Sequence, residues 1–208
     1  MQKPQIVIIS GEIHEGKTAL AQKVVSGLLE RNIRIAGFLS IAVNEDGQRA
    51  RYDLFDIETS ERTELCSTQR DESRLKMGRY YFKNATLLKG LKILSPENVA
   101  GRQLIVIDEI GPLELGNKGW SSAIENLCRS TSLLQLWVVR RSIVKNVIRR
   151  WGTGDAYIYD TGEDSAAGII NKITDLLARL PSGISDPSKT PNANSTNGRR
   201  IPAARSRK

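Results

Sequence analysis

Apolar residues recur along this chain in two periods, and the alternation between the periods lays out its elements. Three short runs, Gln5-Ile6-Val7-Ile8-Ile9-Ser10, Leu104-Ile105-Val106-Ile107 and Leu133 to Val139 (apolar but for Gln135), have the length and apolar content of strands buried on both faces. Between and after them the spacing changes to that of helices. Ala19 to Leu29 places Leu20, Val24 and Leu28 on one side. A second helix starts at Asn84, runs through Leu88 and Leu91, and breaks near Ser95-Pro96, with Pro96 to Ala100 forming another helical turn. Further helices are expected over Asn117 to Arg129, Ser142 to Trp151 and about Glu163 to Leu180. Gly152-Thr153-Gly154 ends the second of these, and Ile169, Ile170, Ile173, Leu176 and Leu177 form the inner side of the third. Ala156 to Tyr159 reads as a last strand.

One region breaks this rhythm. Arg34 to Val43 is extended, Asn44-Glu45-Asp46-Gly47 is a hairpin turn, and Arg49 to Ile57 alternates as a returning strand. Thr63 to Cys66 and Arg79-Tyr80-Tyr81-Phe82 are short strands, and Ser67 to Lys76 is polar enough for an exposed loop. The pattern predicts an α/β chain in three layers, with a mostly parallel sheet and an antiparallel hairpin insertion.

The first buried run leads into Gly11-Glu12-Ile13-His14-Glu15-Gly16-Lys17-Thr18, which is G-x-x-x-x-G-K-T between a strand and a helix, the context that confirms a phosphate-binding loop. Residues Gly11 to Ala19 are therefore the candidate nucleotide-binding segment. Gly16 lets the backbone pass close to a phosphate, and the loop amides converge at a helix start, where the dipole favours an anion. Lys17 is expected on the β- and γ-phosphates and the Thr18 hydroxyl on Mg²⁺. Glu12 and Glu15 set acids beside a polyanion site, at about 0.5 kcal/mol for each charge near 8 Å in water. His14, the only histidine, is expected to face solvent, with a catalytic or metal role as the alternative.

The second buried run ends in Asp108-Glu109, at the strand end where open α/β sheets hold their ligands. After a phosphate loop, Asp108 is placed for the Mg²⁺ shell and Glu109 for polarising the attacking water. Arg140 and Arg141 follow the third run and are candidate transition-state arginines, with a solvated basic face as the competing reading. Arg141, Lys145 and Arg149 share one helical face.

Charge changes the picture only at one end. The 208-residue chain carries a net +8, of which residues 181–208 supply +5 from six basic residues against Asp186. That segment is poor in large apolar residues, so a folded domain over 1–180 and a disordered basic tail over 181–208 are expected. No run is long enough for a membrane helix, the N-terminal residues do not form a signal peptide, and Cys66 and Cys128 lack metal spacing, so a cytoplasmic protein with reduced thiols is expected.

The stretch Leu104-Ile105-Val106-Ile107-Asp108-Glu109-Ile110-Gly111-Pro112-Leu113-Glu114-Leu115 resembles the Asp-Glu-Ile-Gly-Pro-Met-Glu motif of the cancer-related nucleoside-triphosphatase family. Ile35-Ala36-Gly37-Phe38, the hairpin through Gly47 and Met77-Gly78-Arg79-Tyr80 agree, and the likeness covers about residues 5–180. The resemblance implies a P-loop NTPase fold and Mg²⁺-dependent hydrolysis of ATP, GTP, CTP and UTP, slowly and with little base preference. It assigns the site to Gly11, Gly16, Lys17, Thr18, Asp108, Glu109 and Glu114. His14 and Glu15 depart from the family loop, which more often has Gly and a small or apolar residue there.

Two other readings compete. A small-molecule or nucleotide kinase would use Arg141, Lys145, Arg149 and Arg150 as a basic lid. A nucleotide-dependent nucleic-acid-binding protein would use the tail, although no aromatic residue in it offers base stacking. The sequence leaves the oligomeric state open.

Overall fold

The computed structural model describes residues 4–180; the expected tail lies outside the described residues. Its centre is one sheet of nine strands. Five are parallel neighbours: β2 (Ile35–Glu45), β7 (Leu104–Ile110), β8 (Leu134–Arg140), β1 (Ile6–Gly11) and β9 (Tyr157–Asp160), in that spatial order. On the other side of β2 the sheet continues antiparallel through β3 (Gln48–Asp56), β4 (Arg62–Ser67), β6 (Tyr80–Phe82) and β5 (Leu75–Met77). The expected hairpin is thus the first half of a four-strand extension of the sheet edge. The end of the expected 67–76 loop joins it, because Leu75 and Lys76 pair with Phe82 and Tyr81.

Alternation along the buried strands sorts side chains into two cores. Val7 and Ile9 of β1, Leu104 and Val106 of β7, and Leu134, Leu136 and Val138 of β8 face α1 (Lys17–Leu29) and α7 (Ala166–Arg179). Ile6, Ile8, Ile105, Ile107 and Trp137 face the helices α2 (Asn84–Ile93), α3 (Pro96–Val99), α5 (Ser121–Ser130) and α6 (Val144–Trp151). In α1 the buried stripe is Ala21, Val24, Val25 and Leu28. Burying a Val or Leu contributes about 2 kcal/mol, which outweighs the roughly 0.5 kcal/mol that a β-branched residue costs in a helix. Packing therefore holds this helix in place.

The helix expected from Asn117 starts only at Ser121. Asn117 and Gly119 both take positive φ, 61° and 57°, which interrupts the helical backbone. The chain instead makes a short helix, α4 (Pro112–Leu115), directly after β7. Likewise Arg141 lies in a 3₁₀ turn, Arg141–Ile143, ahead of α6, and is set off from the exposed face of that helix.

Gly37 holds the seam between the two halves. It lies on β2 at φ 122°, and a Cβ built there would sit 1.9 Å from the carbonyl oxygen of Val106 on β7. Only glycine permits this approach.

Candidate active site

The parallel strands bring the two sequence motifs to one edge. β8 lies between β1 and β7, so the phosphate loop after β1 and the carboxylates ending β7 flank Arg140, which is level with Gly11 in the strand register. A cleft of about 240 Å³ opens there, lined by Lys17, Thr18, Glu109 and Arg140 and, from the antiparallel half, by Arg49 and Tyr52. A larger cavity of about 490 Å³ lies away from this edge, near Gln5, Trp151 and Tyr157, and includes no loop residue.

Within the loop, Gly16 takes φ 84° immediately before α1, a left-handed conformation that leaves the first helical amides facing the loop. Lys17 is nearly buried, 8 % exposed, and its Nζ donates to the carbonyl of Glu12 at 2.7 Å. Burial holds its ammonium below the usual lysine range, with the Glu109 carboxylate opposing that shift.

Asp108 is buried at 1 % exposure. The Ser40 amide donates to its carboxylate at 3.1 Å, the Thr18 hydroxyl bonds the same carboxylate, and the Ser40 hydroxyl donates to the Asp108 carbonyl. Burial, reinforced by the negative charge of Glu109, pushes the Asp108 carboxyl up to about 7. The strand register skips at Glu109, where Asp108 and Ile110 pair with consecutive residues of β8. This bulge separates the environments of two adjacent acids. Asp108 stays buried, while Glu109 is half-buried and lines the cleft.

A hard, all-oxygen pair, the Thr18 hydroxyl and the Asp108 carboxylate, therefore lies in contact at the mouth of the phosphate loop. That donor set fits Mg²⁺, which takes few protein oxygens and completes its shell with water and phosphate.

The two arginines after β8 divide. Arg140 Nε donates to Glu109 Oε1 at 2.6 Å and lines the cleft. Arg141 turns to the other side of the loop. It bonds Asp160 at 2.7 and 2.8 Å and Glu15 at 2.9 Å, and stands 3.8 Å from Glu12. Glu15 in turn accepts from the Glu12 amide at 2.7 Å, the main reason its carboxyl lies below the usual range, with Arg141 adding to the shift. Arg141 likewise holds Asp160 low, aided by the Gly162 amide. The two acids that the sequence set against a polyanion are thus tied into a brace around the loop. Arg150, one of the cations of the kinase-type lid, reaches Ser121 at 3.3 Å and its guanidinium lies 5.1 Å from the Trp151 ring centre, away from the cleft.

His14 is exposed at φ 72°, and its Nδ1 accepts from the Arg49 guanidinium. Glu114 is not in the cleft. It is buried at the turn after β7, where its carboxylate accepts from the Gly111 amide at 2.9 Å and the Trp120 amide at 3.4 Å. Burial pushes it up to about 7. The sequence reading missed Ser40, Arg49 and Tyr52. Nothing local marks them, because they reach the loop only through pairing of β2 with β7 and β3.

Known proteins resemble this chain in sequence and in fold. The family model described as NTPase matches residues 6–174. The nucleoside-triphosphatase THEP1 of Caldivirga maquilingensis is 32 % identical over 130 residues, covering 62 % of this chain and 72 % of the relative. That of Archaeoglobus fulgidus is 27 % identical over 172 residues, covering 82 % and 98 %. Two solved structures share the fold. THEP1 from Aquifex aeolicus has a TM-score of 0.62 at 21 % identity, covering 84 % of this chain and 100 % of that one. A human cancer-related nucleoside triphosphatase has a TM-score of 0.65 at 19 % identity, covering 85 % and 100 %. With a phosphate loop, an Asp-Glu strand end and a family match over most of its length, this chain belongs to the nucleoside-triphosphatase family.

Proposed function

We propose that this nucleoside-triphosphatase hydrolyses ATP, GTP, CTP and UTP to the diphosphate and phosphate, with Mg²⁺ as cofactor, broad base tolerance and slow turnover. The observation that carries the reading is the contact between the Thr18 hydroxyl and the buried Asp108 carboxylate beside Lys17. Thr18 and Asp108 would hold Mg²⁺, which supplies charge neutralisation on the phosphates when bound. The loop amides of Gly11 to Ala19 cradle the α- and β-phosphates, and Lys17, released from the Glu12 carbonyl, takes the β- and γ-oxygens.

Glu109 orients the attacking water. Its Oε1 is engaged by Arg140, which fixes the carboxylate and leaves the other oxygen to accept from water. Arg140 lines the cleft beside Glu109, whereas Arg141 positions the loop through Glu15 and Asp160. The cleft lining includes Ile13, Ile41 and Ala42, apolar side chains that offer a base contact without a hydrogen-bond code.

Residues 1–180 form the catalytic unit in this reading. A cytoplasmic location fits two free thiols that burial raises to about 12, far from reactive.

The test is phosphate release from the four nucleotides with Mg²⁺ and no acceptor, for the wild type and Glu109→Gln. Slow release from all four is expected, lowered at least about 100-fold in the variant while nucleotide binding persists. Undiminished release in Glu109→Gln would remove the water-orienting role. Nucleotide binding without release in the wild type would redirect the search to a phosphoryl acceptor.

A further inference from the structure

Three arginines approach the phosphate loop, and two of them are neutralised. Arg140 is paired with Glu109, and Arg141 with Glu15, Asp160 and Glu12. The third, Arg49, comes from the start of β3, and among the described residues it forms no ion pair. Its guanidinium instead donates to two neutral acceptors, His14 Nδ1 in the loop and the Tyr52 hydroxyl at 3.2 Å, and its carbon lies 5.7 Å from the centre of the Tyr52 ring. It lines the same cleft as Lys17, Thr18, Glu109 and Arg140.

We propose that Arg49 is the transition-state arginine of this enzyme, delivered in cis from the antiparallel hairpin onto the γ-phosphate, with His14 as the residue that positions it.

This rests on the reading of the cleft as a triphosphate site. Charge decides among the three candidates. A guanidinium already bonded to a carboxylate offers a phosphate less net positive charge and must first give up that partner. Arg49 has only neutral partners to exchange, and its charge is uncompensated where negative charge grows on the γ-oxygens. The hairpin holds it there. Arg79 donates to the Arg49 carbonyl at 3.2 Å and to the Tyr80 hydroxyl at 2.9 Å, and the Tyr80 ring stands edge-on to Tyr52 at 5.3 Å.

His14 explains its own departure from glycine on this view. Local desolvation and the surrounding cations Arg49, Arg79, Lys17 and Arg140 hold its imidazole below the usual histidine range, and Nδ1 accepts from Arg49. A loop glycine has no side chain to do so. The hydrolysis balances without Arg49 gaining or losing a proton. Water adds to the γ-phosphorus and gives up a proton through Glu109 to solvent, the β–γ bridging P–O bond breaks with its electron pair on the departing diphosphate, and the guanidinium contributes only hydrogen bonds and charge.

The experiment compares wild type, Arg49→Ala, Arg49→Lys, His14→Ala and the double variant His14→Ala/Arg49→Ala. It measures kcat and KM for ATP with Mg²⁺, and retention of ADP with Mg²⁺ in the presence and absence of fluoroaluminate. Arg49→Ala is expected to lower kcat about 100- to 1,000-fold with KM within about threefold, and to lose the fluoroaluminate-dependent tightening of ADP. Arg49→Lys recovers part of kcat, and millimolar guanidinium partly rescues Arg49→Ala. His14→Ala lowers kcat about tenfold, and the double variant is no slower than Arg49→Ala alone, because His14 acts through the arginine.

A kcat for Arg49→Ala within about threefold of wild type, or retained fluoroaluminate tightening, overturns the proposal. So does a rise in KM with kcat unchanged, which would make Arg49 a ground-state contact. If Arg49→Ala fails to fold, the Arg49→Lys kcat and its fluoroaluminate response decide instead. Failure of the underlying cleft reading looks different, since Glu109→Gln would then leave phosphate release intact.

Discussion

The two halves of the sheet do different work. In the parallel half, β1, β7 and β8 are buried almost throughout and carry the loop, the acids and Arg140 at one edge. In the antiparallel half, residues Gln48 to Tyr52 of β3 are only partly buried or exposed, and ion pairs such as Arg51 with Asp53 and Arg74 with Glu64 lie along it. The rigid half fixes phosphate and metal chemistry to positions set by strand register. The half-exposed one has freedom to offer polar side chains across the cleft, and Arg49 and Tyr52 are what it offers. The contrast teaches that a buried motif set and a half-exposed wall can share one site when a single strand, β2, belongs to both halves.

The seam at β2 is the place where the comparison breaks most severely. Gly37→Ala sets a Cβ 1.9 Å from the Val106 oxygen, so either β2 leaves β7 or the backbone shifts. A loss of several kcal/mol is expected, on the order of 4, read as a lowered urea midpoint or as insoluble protein. An unchanged midpoint would mean the halves slide freely and the cleft wall is not fixed to the loop.

Glu114 probes the parallel half alone. Its folded-state carboxyl, at about 7, lies above the ordinary value of 4.5. The contribution of the protonated acid is therefore complete below about pH 4.5 and is lost as pH rises through 7. Relative to Glu114→Gln, the wild type should lose up to about 3 kcal/mol between pH 4.5 and 8, measured as the difference between their urea unfolding free energies at the two pH values. A wild type that gains on the variant at high pH would show that the Gly111 and Trp120 amides favour the ionised form.

The smallest effect belongs to Arg141, whose ion pairs are exposed. Such pairs contribute little and are screened by salt. Arg141→Ala should raise KM at most about tenfold, leave kcat within about twofold, and differ less from wild type at 1 M salt. A loss of kcat comparable to that of Arg49→Ala would move the transition-state charge to the β9 side of the loop and erase the distinction between the two halves.

How much could be read beforehand depended on how local the cause was. β1, α1, β7 and β8 were legible because a buried strand needs an unbroken apolar run and a packed helix needs its stripe. The loop was legible because its chemistry is contiguous from Gly11 to Thr18. The shortened α5 was not, since Asn117 at positive φ is set by the turn that Glu114 braces. β5 was hidden because its three residues pair only once β6 is in place. Arg141 was drawn into a helical face by its spacing, whereas a 3₁₀ turn and three carboxylates from distant loops redirect it.

By itself the sequence determined the layer order of strand and helix, the phosphate loop and the Asp-Glu strand end, because each is encoded within a dozen consecutive residues. Tertiary structure decided which charges are spent and which are available. Glu15 and Asp160 neutralise Arg141, Glu109 engages Arg140, and His14 with Tyr52 holds Arg49 over the cleft. The most distant of those partners, Glu15 and Arg141, lie 126 residues apart, and the register of β1 beside β8 brings them within hydrogen-bonding range.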